Sequence, residues 1–178
     1  MAYTRPEPLR GKLDTEGFEC GEPSLDDWLR KHARQAEAGN SARVYVTTDD
    51  GSRVVAYYAI SAAQVHPGNA TERLMNGQAR SRAVPVILIG RLAVDRRDQG
   101  GGLGRSLLQD IVLKCLRAAS IIGARAIAVD ALSVSVAAFY ERFGFERSPS
   151  DPRHLILLLK DAERTLNEVA AKRITAIL

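Results

Sequence analysis

The feature that most constrains this chain is a cluster of glycines between a predicted strand and a predicted helix. Four of the residues 100–104 are glycine. The run "VPVILIGRLAV" before them is the most strand-like in the chain, and Pro85 lies near its start, where a missing N–H does least harm. The run "RSLLQDIVLKCL" after them repeats its apolar residues at helical spacing. A glycine-rich turn at this junction exposes unpaired backbone N–H groups that bind anions such as phosphate, although a merely flexible turn is the alternative.

Helical and strand patterns alternate along the rest of the chain. A helix is predicted over residues 24–38 with Ser24 as its N-cap, and residues 64–83 form either a loop or a short helix. The other predicted strands are 42–48, 53–61, 124–132 and 154–160, with a hairpin turn at 49–52, and the other helices are 105–123, 133–144 (ended by Gly144) and 161–176. This order predicts a single α/β domain over residues 1–178, with a central mixed sheet and helices on its faces.

Composition indicates an ordinary globular protein of the cytoplasm. Hydrophobic residues make up 46% of the chain and charged residues 26%, which argues against wholesale disorder. The apolar runs are too short to cross a bilayer, and the N-terminus has no apolar signal segment, so no membrane contact is expected. Cys20 and Cys115 are the only cysteines and have no CxxC spacing, as in a reduced protein. The spacing of His32, His66 and His154 suggests no metal site.

Positive charge is concentrated around the glycines. Between Arg73 and Arg117 there are nine basic residues and three acidic ones, a net charge of +6, whereas the rest of the chain carries −2. A basic block of this kind favours a phosphate-rich ligand or a nucleic acid. A solvated arginine-rich surface is the alternative.

The glycine pattern excludes two common phosphate-binding motifs. It lacks the Gly-Lys-Ser/Thr of a Walker A loop, and the third glycine of a dinucleotide fingerprint would fall at Arg105 or Leu107. What remains is Gln99-x-x-Gly102-x-Gly104 after a strand and before an amphipathic helix. This segment resembles the signature with which the GNAT superfamily of N-acetyltransferases binds the pyrophosphate of coenzyme A.

The resemblance extends over roughly residues 5–160. The run "AFYERFGF" (138–145) resembles the GNAT segment whose aromatic residue lies next to the coenzyme thiol. The runs "FECG" (18–21), "LDDWL" (25–29) and "VVAYYAIS" (54–61) are similar to one GNAT branch, the acetyltransferase toxins of toxin–antitoxin pairs. The resemblance implies the GNAT fold, with a mostly antiparallel mixed sheet. It also implies acetylation of the amino group of aminoacyl-tRNA, which blocks translation.

The resemblance further implies acetyl-CoA as cosubstrate and no metal. Backbone N–H groups of residues 99–104 would hold the pyrophosphate, nearby arginines would add charge, and the end of the preceding strand would bind the acetyl carbonyl and the pantetheine amides. The expected acetyl-CoA-binding residues are Leu92, Ala93, Val94, Arg97, Gln99, Gly100, Gly101, Gly102, Leu103, Gly104, Arg105 and Phe139.

Tyr140 matches the catalytic tyrosine of the family and is the candidate general acid. Its phenol stays protonated at neutral pH and can donate toward a departing thiolate, although packing in the core is the alternative. Asp130 is the best candidate for a general base, but a helix cap or a loop residue is the more ordinary interpretation. A dedicated base is unnecessary if the acceptor is an aminoacyl ester, whose amino group is less basic than that of a free amino acid.

Five basic residues beyond those assigned to the coenzyme are candidates for tRNA phosphate contacts that weaken with salt. They are Arg80, Arg82, Arg91, Lys31 and Arg34. The resemblance also implies a ribbon–helix–helix antitoxin as partner, DNA contact only through that antitoxin, and a homodimer. Two other functions stay open: an acetyltransferase acting on a protein N-terminus, a lysine or a small amine, and a non-catalytic protein that binds acyl-CoA or an antitoxin with its DNA.

Overall fold

A computed structural model describes residues 2–49 and 52–175 of the chain. The strands are β1 (Glu7–Pro8), β2 (Arg43–Thr48), β3 (Val54–Val65), β4 (Val84–Val94), β5 (Ala126–Asp130), β6 (Glu146–Arg147) and β7 (His154–Leu158). The helices are α1 (Pro23–Lys31), α2 (Ala33–Ala38), α3 (Glu72–Met75), α4 (Leu103–Ala119), α5 (Val134–Glu141) and α6 (Leu159–Thr175). Part of the predicted turn at 49–52 and the predicted helix residue 176 lie outside the described residues.

The strands form one seven-stranded sheet in the order β1-β2-β3-β4-β5-β7-β6. The β2–β3 pair is antiparallel with Tyr45 opposite Tyr58, as the predicted hairpin requires. The β1–β2, β5–β7 and β6–β7 pairs are antiparallel too. The predicted α/β class, with a mixed and mostly antiparallel sheet, is confirmed. Of the described helices, none is both long and apolar enough to cross a membrane.

The chain divides into two compact units, and β3, β4 and α4 contribute residues to both. The first unit comprises the residues up to Ser61 together with Ile89–Ile111, and the second comprises Ala62–Leu88 together with the residues from Val112 onward. The single domain over residues 1–178 therefore stays a prediction.

Each unit has its own hydrophobic core. In the first unit the Phe18 and Tyr57 rings meet edge to face at 5.5 Å, and the buried Tyr57 hydroxyl donates to the Leu25 carbonyl at 2.7 Å. Because a buried hydroxyl is costly without a partner, this bond fixes α1 against the sheet. The other buried members of this core include Leu29, Ala33, Val44, Val46 and Val54. The second unit buries Val65, Leu74, Met75, Val86, Ala128 and Ile156.

The first predicted helix differs from its prediction in two ways. It is interrupted at His32, whose φ of −123° leaves the helical range, so α1 and α2 are separate helices. Ser24 is not the N-cap: Pro23 occupies the first turn, and Glu22 precedes it as the cap. Proline fits this position because its fixed φ suits the helix and its missing N–H costs nothing there. The Ser24 hydroxyl instead donates to the Glu22 carboxylate at 2.9 Å.

Short elements account for the other differences. The ambiguous segment 64–83 holds a 3-10 helix at Pro67–Asn69 and α3, which is capped by the Thr71 hydroxyl accepting from the Leu74 N–H at 3.1 Å. Strands β1 and β6 have two residues each, too few to show an alternating pattern. Gly144 follows α5 with φ +89°, which confirms the predicted glycine at its end.

Candidate functional site

The glycine loop connects β4 to α4 through a short 3-10 helix at Arg96–Asp98. Gly100 and Gly102 have φ of +83° and +84°, in the left-handed region that only glycine adopts without strain. A Cβ placed on Gly100, Gly101 or Gly102 would meet no atom within 4 Å. The glycines are therefore not required by packing. They leave open space beside backbone N–H groups at the start of a seventeen-residue helix, and this space suits the approach of a phosphate group. The predicted strand–turn–helix arrangement is confirmed.

Asp95 comes directly after β4 and anchors the entrance of the glycine loop. Its side chain is fully buried and accepts hydrogen bonds from the Glu19 N–H at 3.2 Å and the Arg97 N–H at 3.0 Å. The Arg97 guanidinium adds two charge-assisted bonds of 2.8 Å. Burial opposes ionisation of Asp95, but the bonds from Arg97 and Glu19 prevail and lower its pKa from 3.8 to about 2. Asp95 is thus an ionised carboxylate at neutral pH.

Gln99 is the first residue of the Gln99-x-x-Gly102-x-Gly104 motif, and its side chain forms hydrogen bonds with backbone carbonyl groups. Its amide nitrogen donates to the Cys20 carbonyl at 2.9 Å and to the Val94 carbonyl at 2.8 Å. The Arg96 N–H also donates to the Glu19 carbonyl at 2.8 Å. The segment that contains "FECG" therefore runs alongside residues 95–99. No local sequence pattern reveals this contact, because the two segments are far apart in the chain.

The arginines near the loop differ in availability. Arg97 is committed to Asp95 and to the Gly17 carbonyl at 2.8 Å, so its guanidinium already has partners within the protein. Arg105 is exposed in the first turn of α4, and Arg96 is exposed beside Gly21. On the preceding strand, Ala93 is buried while Leu92 and Val94 are half-buried.

Three of the proposed tRNA contacts lie in the first unit. Arg91 is half-buried on β4, and its guanidinium carbon lies 5.3 Å from the ring centroid of Trp28, a cation–π contact. Lys31 pairs with Asp27 at 3.2 Å, and Arg34 donates to the Gly11 carbonyl at 2.7 Å. Both of these side chains are exposed.

The other two proposed tRNA contacts lie in the second unit, on the stretch between α3 and β4. Arg80 pairs loosely with Glu72 at 3.4 Å, and both side chains are more than three-quarters exposed. Arg82 is exposed as well. An exposed ion pair of this kind contributes little to stability, so it presents no obstacle to a contact with phosphate.

Tyr140 and Phe139 lie on α5, in the second unit. The Tyr140 ring contacts Phe139 and Phe145 edge to face, with centroids 5.1 and 5.5 Å away. Only 5% of Tyr140 is exposed, and burial raises the pKa of its phenol. Among the described residues its hydroxyl has no hydrogen-bond partner. The aromatic body is therefore part of the core, while the phenol keeps its proton and has no acceptor within the part of the chain that the structure describes.

Asp130 pairs with His154 across the β5–β7 register. The Asp130 carboxylate oxygen and His154 Nδ1 are 2.6 Å apart, and this hydrogen bond lowers the pKa of Asp130. A carboxylate with a lowered pKa is a weak base. The cap of α5 is Ser133, which accepts from the Val136 N–H at 3.2 Å, so a capping role for Asp130 is wrong. Across residues 2–49 and 52–175, no three His, Cys, Asp or Glu side chains are grouped as a metal would need.

The fold and the loop together define a class of protein. Residues 40–147 match the family described as the acetyltransferase (GNAT) domain, and the chain belongs to that family. It is 45% identical over 166 residues to the tRNA-acetylating toxin of Mycobacterium tuberculosis strain ATCC 25618 / H37Rv, a match that covers 93% of this chain and 98% of the relative.

Two solved structures have the same fold. The crystal structure of AtaTR bound with AcCoA has a TM-score of 0.75 and 25% identity, covering 92% of this chain and 98% of that one. The crystal structure of the KacTA–DNA complex has a TM-score of 0.78 and 26% identity, covering 94% of this chain and 99% of that one.

Proposed function

We propose that this protein is the cytoplasmic toxin of a toxin–antitoxin pair and that it transfers acetyl from acetyl-CoA to the α-amino group of aminoacyl-tRNA. The observation that carries the proposal is the open glycine loop at the start of α4, in a chain that belongs to the GNAT family. The choice of acceptor rests on 45% identity, over nearly the whole chain, to a tRNA-acetylating toxin.

The loop is the proposed binding site for the coenzyme diphosphate. Free N–H groups of residues 99–104 and the positive end of the α4 dipole attract the phosphates, and the glycines let them approach the backbone. Arg105 is exposed in the first turn and supplies charge directly. Arg97 contributes differently: it reaches a phosphate only by leaving Asp95, so its main effect is to hold the loop entrance. Residues 92–94 are the proposed partners of the acetyl carbonyl and the pantetheine amides.

The chemistry requires one proton donor. The acceptor amine attacks the thioester carbonyl, the new N–C bond forms, and the C–S bond breaks with sulfur leaving as a thiolate. Tyr140 supplies a proton to that sulfur and regains one from water. Burial raises the pKa of its phenol, so the phenol is protonated at neutral pH before the transfer. The amine loses its own proton to water. Asp130 is not needed as a base, and its pairing with His154 argues against that role.

Basic residues inside and outside the basic block supply the proposed contacts with tRNA. Arg80 and Arg82 are exposed in the second unit, and Lys31, Arg34 and Arg91 occupy α1, α2 and β4. Side chains of this kind bind phosphates without reading sequence, and their contribution falls as salt rises. A ribbon–helix–helix antitoxin is the proposed partner, with DNA reached through it and a homodimer as the assembly. The KacTA–DNA complex of a structural neighbour supports the DNA contact.

The decisive experiment is to incubate the protein with labelled acetyl-CoA and total charged tRNA, and then to identify the amino acid that carries the label. We expect label on the α-amino group of one or a few aminoacyl-tRNAs and a much slower reaction with Tyr140→Phe. Uncharged tRNA is the matched control and should stay unlabelled. Unmodified charged tRNA, or label found only on protein or free amines, would contradict the proposed acceptor.

A further inference from the structure

A partly buried ion-pair cluster joins the start of β3 to the entrance of the glycine loop. Arg53 donates from Nη1 to Asp98 Oδ2 at 2.9 Å and from Nε to Asp49 Oδ2 at 2.9 Å. The same Nη1 lies 4.0 Å from Asp95 Oδ2. The Tyr3 hydroxyl donates to Asp98 Oδ1 at 2.9 Å. Arg53 therefore faces three carboxylates: Asp49, four residues before it in the chain, and Asp95 and Asp98 at the loop entrance.

Residues 17–21 hold the same entrance from another segment of the chain. The Glu19 N–H bonds Asp95, and Gln99 bonds the Cys20 carbonyl. We call Arg53, Asp95, Asp98, Gln99 and residues 17–21 together the loop brace. All of its members belong to the first unit.

We infer that the loop brace, and Arg53 in particular, positions the glycine loop for acetyl-CoA. The inference rests on the proposed function in that the loop must be the coenzyme site. Glycine loses more conformational freedom on ordering than any other residue. Gly100, Gly101 and Gly102 have no neighbour against which a side chain could pack, so the loop has no packing of its own to order it. Its conformation is therefore set by what fixes its two ends. These are α4, whose Ser106 N–H donates to the Gly102 carbonyl at 3.1 Å, and the residues at the entrance, and that ordering precedes ligand binding.

Arg53 is a positioning residue rather than a phosphate contact. Its Nε and both of its Nη atoms donate to Asp49 and Asp98. The Asp98 side chain is only 3% exposed, so removing Arg53 leaves a buried carboxylate near a second one, Asp95. Uncompensated buried charges of this kind are strongly unfavourable. The 95–98 segment would then shift toward solvent and carry the first loop N–H groups with it.

The test compares Arg53→Met with Arg43→Met in the full chain. Arg43 is a matched control because it also forms an ion pair, with Glu37 at 2.9 Å, in the same unit but outside the brace. Calorimetry with coenzyme A gives Kd, hydrogen exchange without ligand reports the order of amides 99–104, and steady-state kinetics separate KM from kcat. We expect Arg53→Met to weaken coenzyme A binding by about tenfold (about 1.4 kcal/mol) and to speed exchange at the loop amides. The value of kcat at saturating acetyl-CoA should be unchanged.

Two further variants keep the result interpretable. Arg53→Lys retains the charge and should restore part of the affinity, as a purely steric role would not. If circular dichroism shows that Arg53→Met does not fold, Asp98→Asn takes its place, because it removes the Arg53–Asp98 ion pair without leaving a charged carboxylate at residue 98. This variant should also speed hydrogen exchange at amides 99–104. Wild-type affinity and wild-type exchange in the folded variant would overturn the inference. If the wild-type protein itself fails to bind coenzyme A, the proposed function fails, and the exchange comparison still decides whether the brace orders the loop.

Discussion

Replacing Gly102 by alanine should separate the backbone role of the glycine loop from its ligand role. Gly102 has φ +84°, and a Cβ there would meet no atom within 4 Å, so the substitution creates no clash. Its cost to folding comes from placing a side chain in the left-handed region, about 1–2 kcal/mol. Alanine also restricts the unfolded chain, which offsets about 0.4–1 kcal/mol. The net loss of about 1 kcal/mol corresponds to a fall in Tm of about 2–4 °C for a protein of this size.

Two matched variants isolate the effect on binding. Gly11 also has a positive φ, +66°, and open space around its Cβ position, but it lies outside the loop. Gly11→Ala should therefore lower Tm by a similar amount and leave coenzyme A affinity unchanged. Gly101 lies in the loop with open space and without a positive φ, so Gly101→Ala should leave Tm nearly unchanged.

Both loop variants should weaken coenzyme A binding. Each places a methyl group where the diphosphate would approach the backbone, and a lost hydrogen bond to a charged group costs about 1.5–3 kcal/mol. That cost corresponds to an increase in Kd of about 10- to 100-fold. Scanning calorimetry gives Tm, and titration calorimetry gives Kd. Equal affinity in Gly101→Ala, Gly102→Ala and the wild type would refute the assignment of this loop to the diphosphate. If Gly11→Ala also weakened coenzyme A binding, the loss of affinity in the loop variants would be explained by their lower stability alone.

Three other outcomes are expected. Tyr140→Phe should lower kcat by about 10²- to 10⁴-fold without changing coenzyme A affinity, and a variant with wild-type kcat would exclude Tyr140 as the acid. Because burial raises the pKa of the Tyr140 phenol, the wild-type rate should show no loss from ionisation of Tyr140 up to pH 10.0, the ordinary pKa of a tyrosine. The pKa of Asp95 is about 2 in the folded protein against an ordinary value of 3.8, so ionised Asp95 stabilises the folded state above pH 3.8, and this stabilisation is lost as the pH falls toward 2. The free energy of unfolding in urea should fall by about 2 kcal/mol over that range, and Asp95→Asn should lack this part of the pH dependence. Arg82→Glu should lower kcat/KM for charged tRNA and flatten the salt dependence of kcat/KM, while leaving KM for acetyl-CoA unchanged. The control is Arg164→Glu, a charge reversal at an exposed residue of α6, which should change neither kcat/KM nor its salt dependence. Equal salt dependence in the wild type and both variants would argue against tRNA contact at Arg82.

The sequence was sufficient to locate the glycine loop because its signals are local. A strand-like run, the glycines and an amphipathic helix succeed one another within residues 84–119, and each has a recognisable pattern. The break at His32 and the two-residue strands could not be predicted in this way, since they depend on tertiary packing and strand pairing. The Asp130–His154 pair is a similar case: it results from the β5–β7 register, which no local pattern specifies.

The contacts of Arg53 are the clearest example of what a linear pattern omits. Asp98 is 45 residues away from Arg53 along the chain, and neither residue lies in a motif that would connect them. Asp95 looks like an ordinary charged residue after a strand, yet it is completely buried. Such residues are recognised only when the partners that neutralise them are seen, because a buried charge requires a partner from somewhere in the fold.

The "FECG" run gains a physical explanation from the same contacts. It was informative in the sequence only as a resemblance to one branch of the family, and it lies outside residues 40–147, which match the acetyltransferase domain. In the structure its backbone bonds Asp95, Arg96 and Gln99, three residues of the loop entrance. A loop made mostly of glycine can bind an anion tightly only if something else restrains it, and here part of that restraint comes from an N-terminal segment that the domain match does not include. Under the proposed function, this run therefore supports the coenzyme site through backbone contacts with residues 95–99.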